Sequence, residues 1–189
     1  MWTSLLAVLS LVLSLSTPLS AQESPAADDA VFSLTVGGHC PIFALPAANE
    51  ATARALVDKT VVKLNDLVGI RPAHPSKGLV LYFFQQENGQ EGLRVLNSIA
   101  RRFRDEEVRV LAISIDPIEL VDLQEWIAEL RLDYPVLLDN YRIVTERYAV
   151  RVTPFVVVVD KDGMIYSVGA PSDEELNAVL DAQIRRALE

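Results

Sequence analysis

From residue 79 onward the chain alternates apolar runs with amphipathic stretches, and this alternation constrains the fold more than any other feature. The run "LVLYFF" at 79–84 is apolar throughout and contains one β-branched and three aromatic residues. Such a run is typical of a strand that is covered on both faces of a sheet. The next stretch predicts an amphipathic helix, because its apolar residues recur at steps of three and four. These residues are Leu93, Leu96, Ile99, Ala100 and Phe103.

The same alternation continues through the middle of the chain. The segment "VRVLAISID" at 108–116 and the segment "YPVLLD" at 134–139 predict two more strands. A helix is predicted between them, with Asp116 as its N-cap, Pro117 at its first position and Glu119 closing a capping box. Another helix is predicted over "NYRIVTERYAV", residues 140–150.

The last third of the chain predicts two strands and a final helix. In "VTPFVVVVDKDGMIYSVG", the pair Asp162-Gly163 suits a tight hairpin between the two strands. Ser172 and Glu175 form a capping box that opens a C-terminal helix. The order β-α-β-α-β-α-β-β-α implies parallel pairing with an antiparallel terminal hairpin. The chain is therefore predicted to be an α/β protein with a central mixed sheet flanked by helices and with an N-terminal extension.

The N-terminal segment has the order of a secretory signal. Residues 1–21 contain no charge, an apolar run from Leu5 to Leu15, and a small-residue end at Ser20 and Ala21. We therefore predict a signal peptide at 1–21, a flexible tether at 22–30 and one domain over 31–189. The alternatives are an uncleaved membrane anchor and an ordinary buried segment, since the run is shorter than a bilayer span. Cleavage predicts a periplasmic or extracellular protein.

The net charge excludes two classes of partner. The chain has 26 acidic and 17 basic residues, a formal charge of −9. Such a surface repels nucleic-acid phosphates and anionic lipid headgroups. We therefore expect no nucleic-acid partner and no membrane contact beyond the N-terminal signal.

Four segments carry a family resemblance. They are "VGGHCPIFALP" at 36–46, "VVKLNDLVG" at 61–69, "LVLYFF" at 79–84 and "YAVRVTPFVVVVDKDG" at 148–163. With the element order, they resemble the thioredoxin-like fold in its exported redoxin branch. This branch contains the TlpA/ResA-type thiol-disulfide oxidoreductases and the AhpC/TSA peroxiredoxins. The likeness covers about 34–188, and the stretch around 47–58 departs from the usual pattern.

The resemblance implies an active-site turn after the strand at 79–84 and a cis-proline at Pro154. The Cys-x-x-Cys pair of the oxidoreductases falls on Asn88, Gly89, Gln90 and Glu91. In the peroxiredoxin register, the corresponding positions are Gln86, Gln90 and Leu93. Neither register contains the thiolate that both chemistries need. The resemblance also places Thr153 and Pro154 opposite this turn, where they would form a groove for an extended peptide.

Cys40 is the single cysteine of the chain, so no intramolecular disulfide is possible. It is interpreted as a structural thiol, a reactive thiol, or a thiol bridged to a second chain in a disulfide-linked dimer. Its neighbour His39 and the distant His74 do not have the spacing of a metal or haem site. We expect no metal and no cofactor.

Two functions remain open. The first is an exported redoxin-domain protein that is degenerate for dithiol chemistry and acts as a binding or accessory module in extracytoplasmic thiol or redox processes. Its partner would be a peptide or a redox protein. The second is a one-cysteine thiol oxidoreductase or peroxidase, an antioxidant with Cys40 as nucleophile, which requires an exposed Cys40 with a lowered pKa. Whether the chain is an enzyme is left open by the residues.

Overall fold

A five-stranded mixed sheet forms the centre of the protein. The computed structural model describes residues 34–189. The predicted signal peptide, the tether and the first three residues of the predicted domain lie outside the described residues. The strands are β1 (Ala44–Pro46), β2 (Val61–Lys63), β3 (Gly78–Phe84), β4 (Val108–Ser114), β5 (Val136–Leu138), β6 (Phe155–Asp160) and β7 (Ile165–Gly169). The α-helices are α1 (Glu50–Val57), α2 (Gln86–Arg102), α3 (Leu120–Ile127), α4 (Ile143–Arg147) and α5 (Asp173–Ala187).

The strand order of the sheet is β5-β4-β3-β6-β7. Strand β4 pairs in parallel with β3 and β5, whereas β6 runs antiparallel to β3 and β7. The α/β fold with a mixed sheet and a terminal hairpin is therefore confirmed. The hairpin turn contains Gly163 at φ 79°, a left-handed conformation that favours glycine.

Strand β3 separates two core layers. Its odd-numbered residues Leu79, Leu81 and Phe83 face one layer, which also contains residues of α1, β2 and α4. Its even-numbered residues Val80, Tyr82 and Phe84 face the other layer, which is built mainly by α2, α3 and α5. Because side chains alternate across a strand, a strand buried on both faces needs an unbroken apolar run. This requirement explains the sequence of the strand at 79–84.

The stretch at 47–58, which departs from the redoxin pattern, covers the edge strand β5. Ala47 forms an isolated bridge with Leu137. The Asn49 amide donates to the Tyr134 carbonyl and accepts from the Val136 N–H, both at 2.8 Å. The side chain thus satisfies backbone groups that an edge strand otherwise leaves open. Helix α1 begins at Glu50, directly after Asn49.

Two helix starts differ in how well the sequence predicted them. The capping box of α5 is confirmed, and Glu175 Oε2 accepts from the Ser172 hydroxyl at 3.0 Å. The predicted capping box of α3 is wrong, because that helix begins at Leu120, after Glu119. The Asp116 carboxylate instead accepts from the Gln86 N–H and the Ser114 hydroxyl, both at 2.9 Å.

Helix α4 is shorter than predicted and is capped from a distance. It spans only Ile143–Arg147 of the predicted 140–150 segment. The buried Asp139 carboxylate accepts from the N–H groups of Val144 and Thr145 and from the Thr145 hydroxyl, the last two at 2.7 Å. Because Asp139 directly follows β5, these bonds fix α4 against the end of that strand.

Candidate functional site

The turn that follows β3 leads directly into α2. Gln85 is the N-cap residue, in an extended conformation, and its side chain caps no backbone N–H. The N–H of Gln86 is satisfied instead by the Asp116 carboxylate, which lies after the neighbouring parallel strand β4. Glu87 places an acidic side chain in the first turn, where it complements the helix dipole. The helix start is thus held by tertiary contacts.

Gln85 and Asn88 both contact Thr153. The Thr153 hydroxyl donates to Gln85 Oε1 at 3.1 Å. Asn88 Nδ2 donates to the Thr153 carbonyl at 3.1 Å and lies 3.3 Å from its hydroxyl oxygen. The peptide bond between Thr153 and Pro154 is cis. The structure therefore brings the start of α2 and the loop before β6 together, and we call Gln85, Asn88, Thr153 and Pro154 the amide groove.

The other residues of the predicted motif, Gly89, Gln90 and Glu91, form no hydrogen bond with Thr153 in the described structure. Residues 88–91 belong to α2 and do not form a turn. Gly89 is buried, and a Cβ there would overlap the Phe84 ring, so this position serves packing. Glu91 lies in the second turn of α2, where it pairs with Arg94 at 3.3 Å. Gln90 is exposed.

The sequence interpretation missed two contacts, that of Gln85 with Thr153 and that of Asp116 with the Gln86 N–H. Asp116 was assigned to helix capping, and Gln85 was outside the predicted four-residue motif. A signal was present, since the carboxyl ends of adjacent parallel strands meet at the same sheet edge and the residues after β3 and β4 must be neighbours. Gln85 and Asn88 are also three positions apart, which is the spacing of the two cysteines in Cys-x-x-Cys.

The groove side chains are amides, a hydroxyl and a proline ring. Amides and hydroxyls donate and accept hydrogen bonds but do not form a mixed disulfide or a sulfenic acid. The set can therefore bind the polar backbone of an extended chain and cannot carry a thiol redox cycle. No group of three or more His, Cys, Asp or Glu in residues 34–189 is placed to hold a metal ion. Within this same part of the chain, no helix is long and apolar enough to cross a bilayer.

Cys40 lies in the core layer on the other face of the sheet from α2. It is 5% exposed, and its Sγ is 3.0 Å from the Tyr148 hydroxyl. That hydroxyl donates to the Pro41 carbonyl at 2.7 Å, and the Tyr148 ring lies 5.1 Å from the Phe83 ring. Burial raises the pKa of the Cys40 thiol to about 11, although the Tyr148 hydrogen bond opposes the change. The exposure and lowered pKa that a nucleophilic Cys40 requires are both lacking in this structure.

The flanking residues of Cys40 do not complete another site. His39 is exposed, and His74 lies on a separate loop beside Asp58 at 3.7 Å. An intermolecular disulfide through Cys40 would require the segment around Pro41 to open. The thiol therefore fits a structural role in the described conformation.

The raised pKa of Cys40 predicts a loss of stability at alkaline pH. The unfolded thiol loses its proton near the ordinary value of 9.0, whereas the native thiol keeps it to about 11. The free energy of unfolding should therefore fall between these values by about 1.4 kcal/mol per pH unit. Urea unfolding of the wild type and of Cys40→Ala measures this slope. Just above pH 9, the slope should be shallower in Cys40→Ala, which keeps only the contribution of the buried tyrosines.

The interval just above pH 9 decides this prediction, because the pKa values of the buried Tyr82, Tyr134 and Tyr148 are also raised and these groups titrate at higher pH. Equal slopes for both proteins in that interval would contradict a thiol that is kept protonated by burial.

Comparison with known families identifies the lineage. A model of the AhpC/TSA family matches residues 36–168. The chain belongs to the AhpC/TSA family. A search of curated proteins finds no match to this AhpC/TSA protein.

Solved structures support the thioredoxin-like fold of the AhpC/TSA protein. A protein described as a thiol:disulfide interchange protein DsbE from Chlorobium tepidum has 22% identity and a TM-score of 0.69, over 83% of this chain and all of that one. The peroxidoxin BcpB of Mycobacterium tuberculosis has 20% identity and a TM-score of 0.64, over 82% and 98%. A secreted disulfide oxidoreductase of the same organism has 18% identity and a TM-score of 0.55, over 74% and 95%. The likeness extends to both redoxin classes that the sequence resembles.

Proposed function

We propose that this AhpC/TSA protein is an exported binding or accessory module of extracytoplasmic thiol or redox processes and that it does not carry out dithiol chemistry. The observation that carries the proposal is the amide groove, in which Gln85 and Asn88 hydrogen-bond to Thr153 where a redoxin would hold its nucleophile. The buried Cys40 supports it, since the chain has no other thiol.

An extended peptide segment of a redox protein is the proposed occupant of the groove. Gln85, Asn88 and Thr153 offer amide and hydroxyl groups that can exchange their mutual hydrogen bonds for bonds to a peptide backbone. The groove lies at the carboxyl end of β3. The resemblance to the family implies that an extended peptide binds at this end of the strand. Export is supported by the uncharged N-terminal segment and by the secreted oxidoreductase among the structural neighbours.

The proposed function predicts peptide binding without turnover. Dithiothreitol-driven reduction of insulin disulfides and of hydrogen peroxide should stay at the buffer background for the wild type and for Cys40→Ser alike. A peptide selected on the wild-type protein from a displayed random library should bind Asn88→Ala at least about tenfold more weakly, because an amide donor is lost. Fluorescence anisotropy of the labelled peptide measures this change.

Asn65→Ala is the matched control, since Asn65 is exposed and lies outside the groove. It should bind the peptide as the wild type does. Turnover that disappears in Cys40→Ser would overturn the proposal and assign catalysis to Cys40. Equal peptide binding by Asn88→Ala and the wild type would remove the groove from the proposal.

A further inference from the structure

A concave site lies at the end of the sheet opposite the amide groove. A cavity of about 620 Å³ opens between α1, the loop before β3, the end of α2 and the starts of β4 and β5. Leu56, His74, Arg104, Arg109 and Tyr134 are among the residues that line it. Its volume lies within the range of about 300–1,000 Å³ that is common for small-molecule sites.

This cavity is separate from the amide groove. Strands β3 and β4 are parallel and in register, from Gly78 opposite Val108 to Phe84 opposite Ser114. The groove follows the last residue of β3, whereas the cavity surrounds the first residues of β4. Seven residues of strand place the two sites roughly 20 Å apart. Moreover, one wall of the cavity is α1, which belongs to the stretch that departs from the redoxin pattern.

The backbone of β4 contributes to the cavity because β5 is short. Strand β5 pairs only with Ala112–Ser114, so residues 108–111 have no strand neighbour on that side. On that side, the Val108 N–H donates to the Phe103 carbonyl and the Ala112 N–H donates to the Pro135 carbonyl. Backbone direction alternates along a strand, so the N–H of Val110 points the same way. Because Val110 lines the cavity, its N–H is a backbone hydrogen-bond donor on the cavity wall.

Two carboxylates at the cavity already have cationic partners. Asp133 accepts from Arg101 at 2.6 Å and from Arg104 at 3.4 Å, and the Arg101 hydrogen bond lowers the pKa of Asp133. Glu107 pairs with Lys77 at 3.1 Å. Because these two carboxylates are already neutralised by their partners, the charge that a ligand meets in the cavity depends on the remaining basic side chains.

Arg109 is the basic group that remains. It is half-buried on β4, and its guanidinium donates only a long bond of 3.4 Å, to the Arg104 carbonyl. Across residues 34–189, no carboxylate pairs with it. The His74 imidazole, which also lines the cavity, lies 3.7 Å from the Asp58 carboxylate. Although the chain has a formal charge of −9, the arginine without a carboxylate partner favours an anionic ligand locally, in this cavity.

We propose that this cavity binds a small organic carboxylate that has an apolar body. Arg109 and the Val110 N–H would receive the carboxylate as charge-assisted hydrogen-bond donors. The apolar body would pack on the walls formed by Ala55, Leu56, Pro75 and Pro135. The site is independent of the proposed peptide binding.

The probe for this site is 4-phenylbutyrate, with its uncharged amide as the matched ligand. In two-dimensional ¹H–¹⁵N NMR titrations of the wild-type protein, 4-phenylbutyrate should shift the amide signals of 52–56 and 107–110 and leave those of 85–88 unchanged. The amide ligand should bind at least about tenfold more weakly. Shifts centred on 85–88, or no shifts at millimolar probe, would overturn the proposal.

The charge of Arg109 is tested by substitution. Arg109→Gln should weaken 4-phenylbutyrate binding at least about tenfold and leave the weak binding of the amide unchanged. Arg94→Gln, on an exposed part of α2, is the matched control and should bind as the wild type does. Thermal unfolding of both variants verifies folding. Inorganic phosphate binding as tightly as 4-phenylbutyrate would show anion attraction without an apolar subsite and would also overturn the proposal.

Discussion

Gly92→Ala should destabilise the protein by about 3 kcal/mol, although the same change in an ordinary helix interior gains about 1 kcal/mol. Gly92 is buried in α2 against β3. A Cβ at this position would overlap the Tyr82 hydroxyl and would lie 2.6 Å from Tyr82 Cζ and 3.2 Å from Asp173 Oδ1. Tyr82 is 0% exposed, so its ring cannot move away without disturbing β3. Chemical unfolding in urea measures the loss.

The sign of the effect separates crowding from helix propensity. Ser98→Ala, an exposed position of the same helix, is the matched control and should be neutral or slightly stabilising. The Tyr82 hydroxyl has no hydrogen-bond partner within the described chain, so Tyr82→Phe removes the nearest of the crowding atoms at small cost and leaves Cζ in place. The loss caused by Gly92→Ala should therefore be smaller in the Tyr82→Phe background. A stabilising Gly92→Ala would show that α2 does not pack on Tyr82 as described.

The element order was predictable because its signals are local and long. The run at 79–84 and the helical period at 93–103 each extend over several residues, and both strand pairing and core layers follow from them. The capping box of Ser172 and Glu175 is also a local pattern, and it was predicted correctly. By contrast, the burial of Cys40 depends on Tyr148, which is 108 positions away. No local pattern reports such a contact.

The start of α2 was not predictable because its capping groups come from other elements. Gln85 is not a favoured N-cap residue, so the sequence gives no mark at the true helix start. The capping sequence at Asp116 was misleading, because that carboxylate accepts from the Gln86 N–H. The predicted motif at 88–91 therefore contains Asn88 but not Gln85, the other residue that contacts Thr153. A motif that begins three residues earlier, at 85–88, contains both contacts.

The double variant Gln85→Cys/Asn88→Cys should gain the dithiol chemistry that the wild type lacks. The two positions have Cys-x-x-Cys spacing, lie at the N-terminus of α2 and both contact Thr153. A thiolate at a helix N-terminus is stabilised by the helix dipole, so one introduced thiol should have a pKa below about 7.5. The expected results are a reversible intramolecular disulfide and dithiothreitol-dependent reduction of insulin above the wild-type background.

Glu91→Cys/Arg94→Cys is the matched control, because it has the same spacing on the same helix but lies beyond the first turn and away from Thr153. Its thiols should have ordinary pKa values near 8.5 and should not support turnover. Iodoacetamide labelling against pH gives the pKa values, and insulin turbidity gives the turnover. Indistinguishable pairs would mean that the amide groove is not the family's active-site position. A low pKa and turnover in the groove pair alone would mean that this chain differs from a dithiol redoxin mainly by two side chains, since the helix terminus and the opposing loop would then have kept their redox geometry.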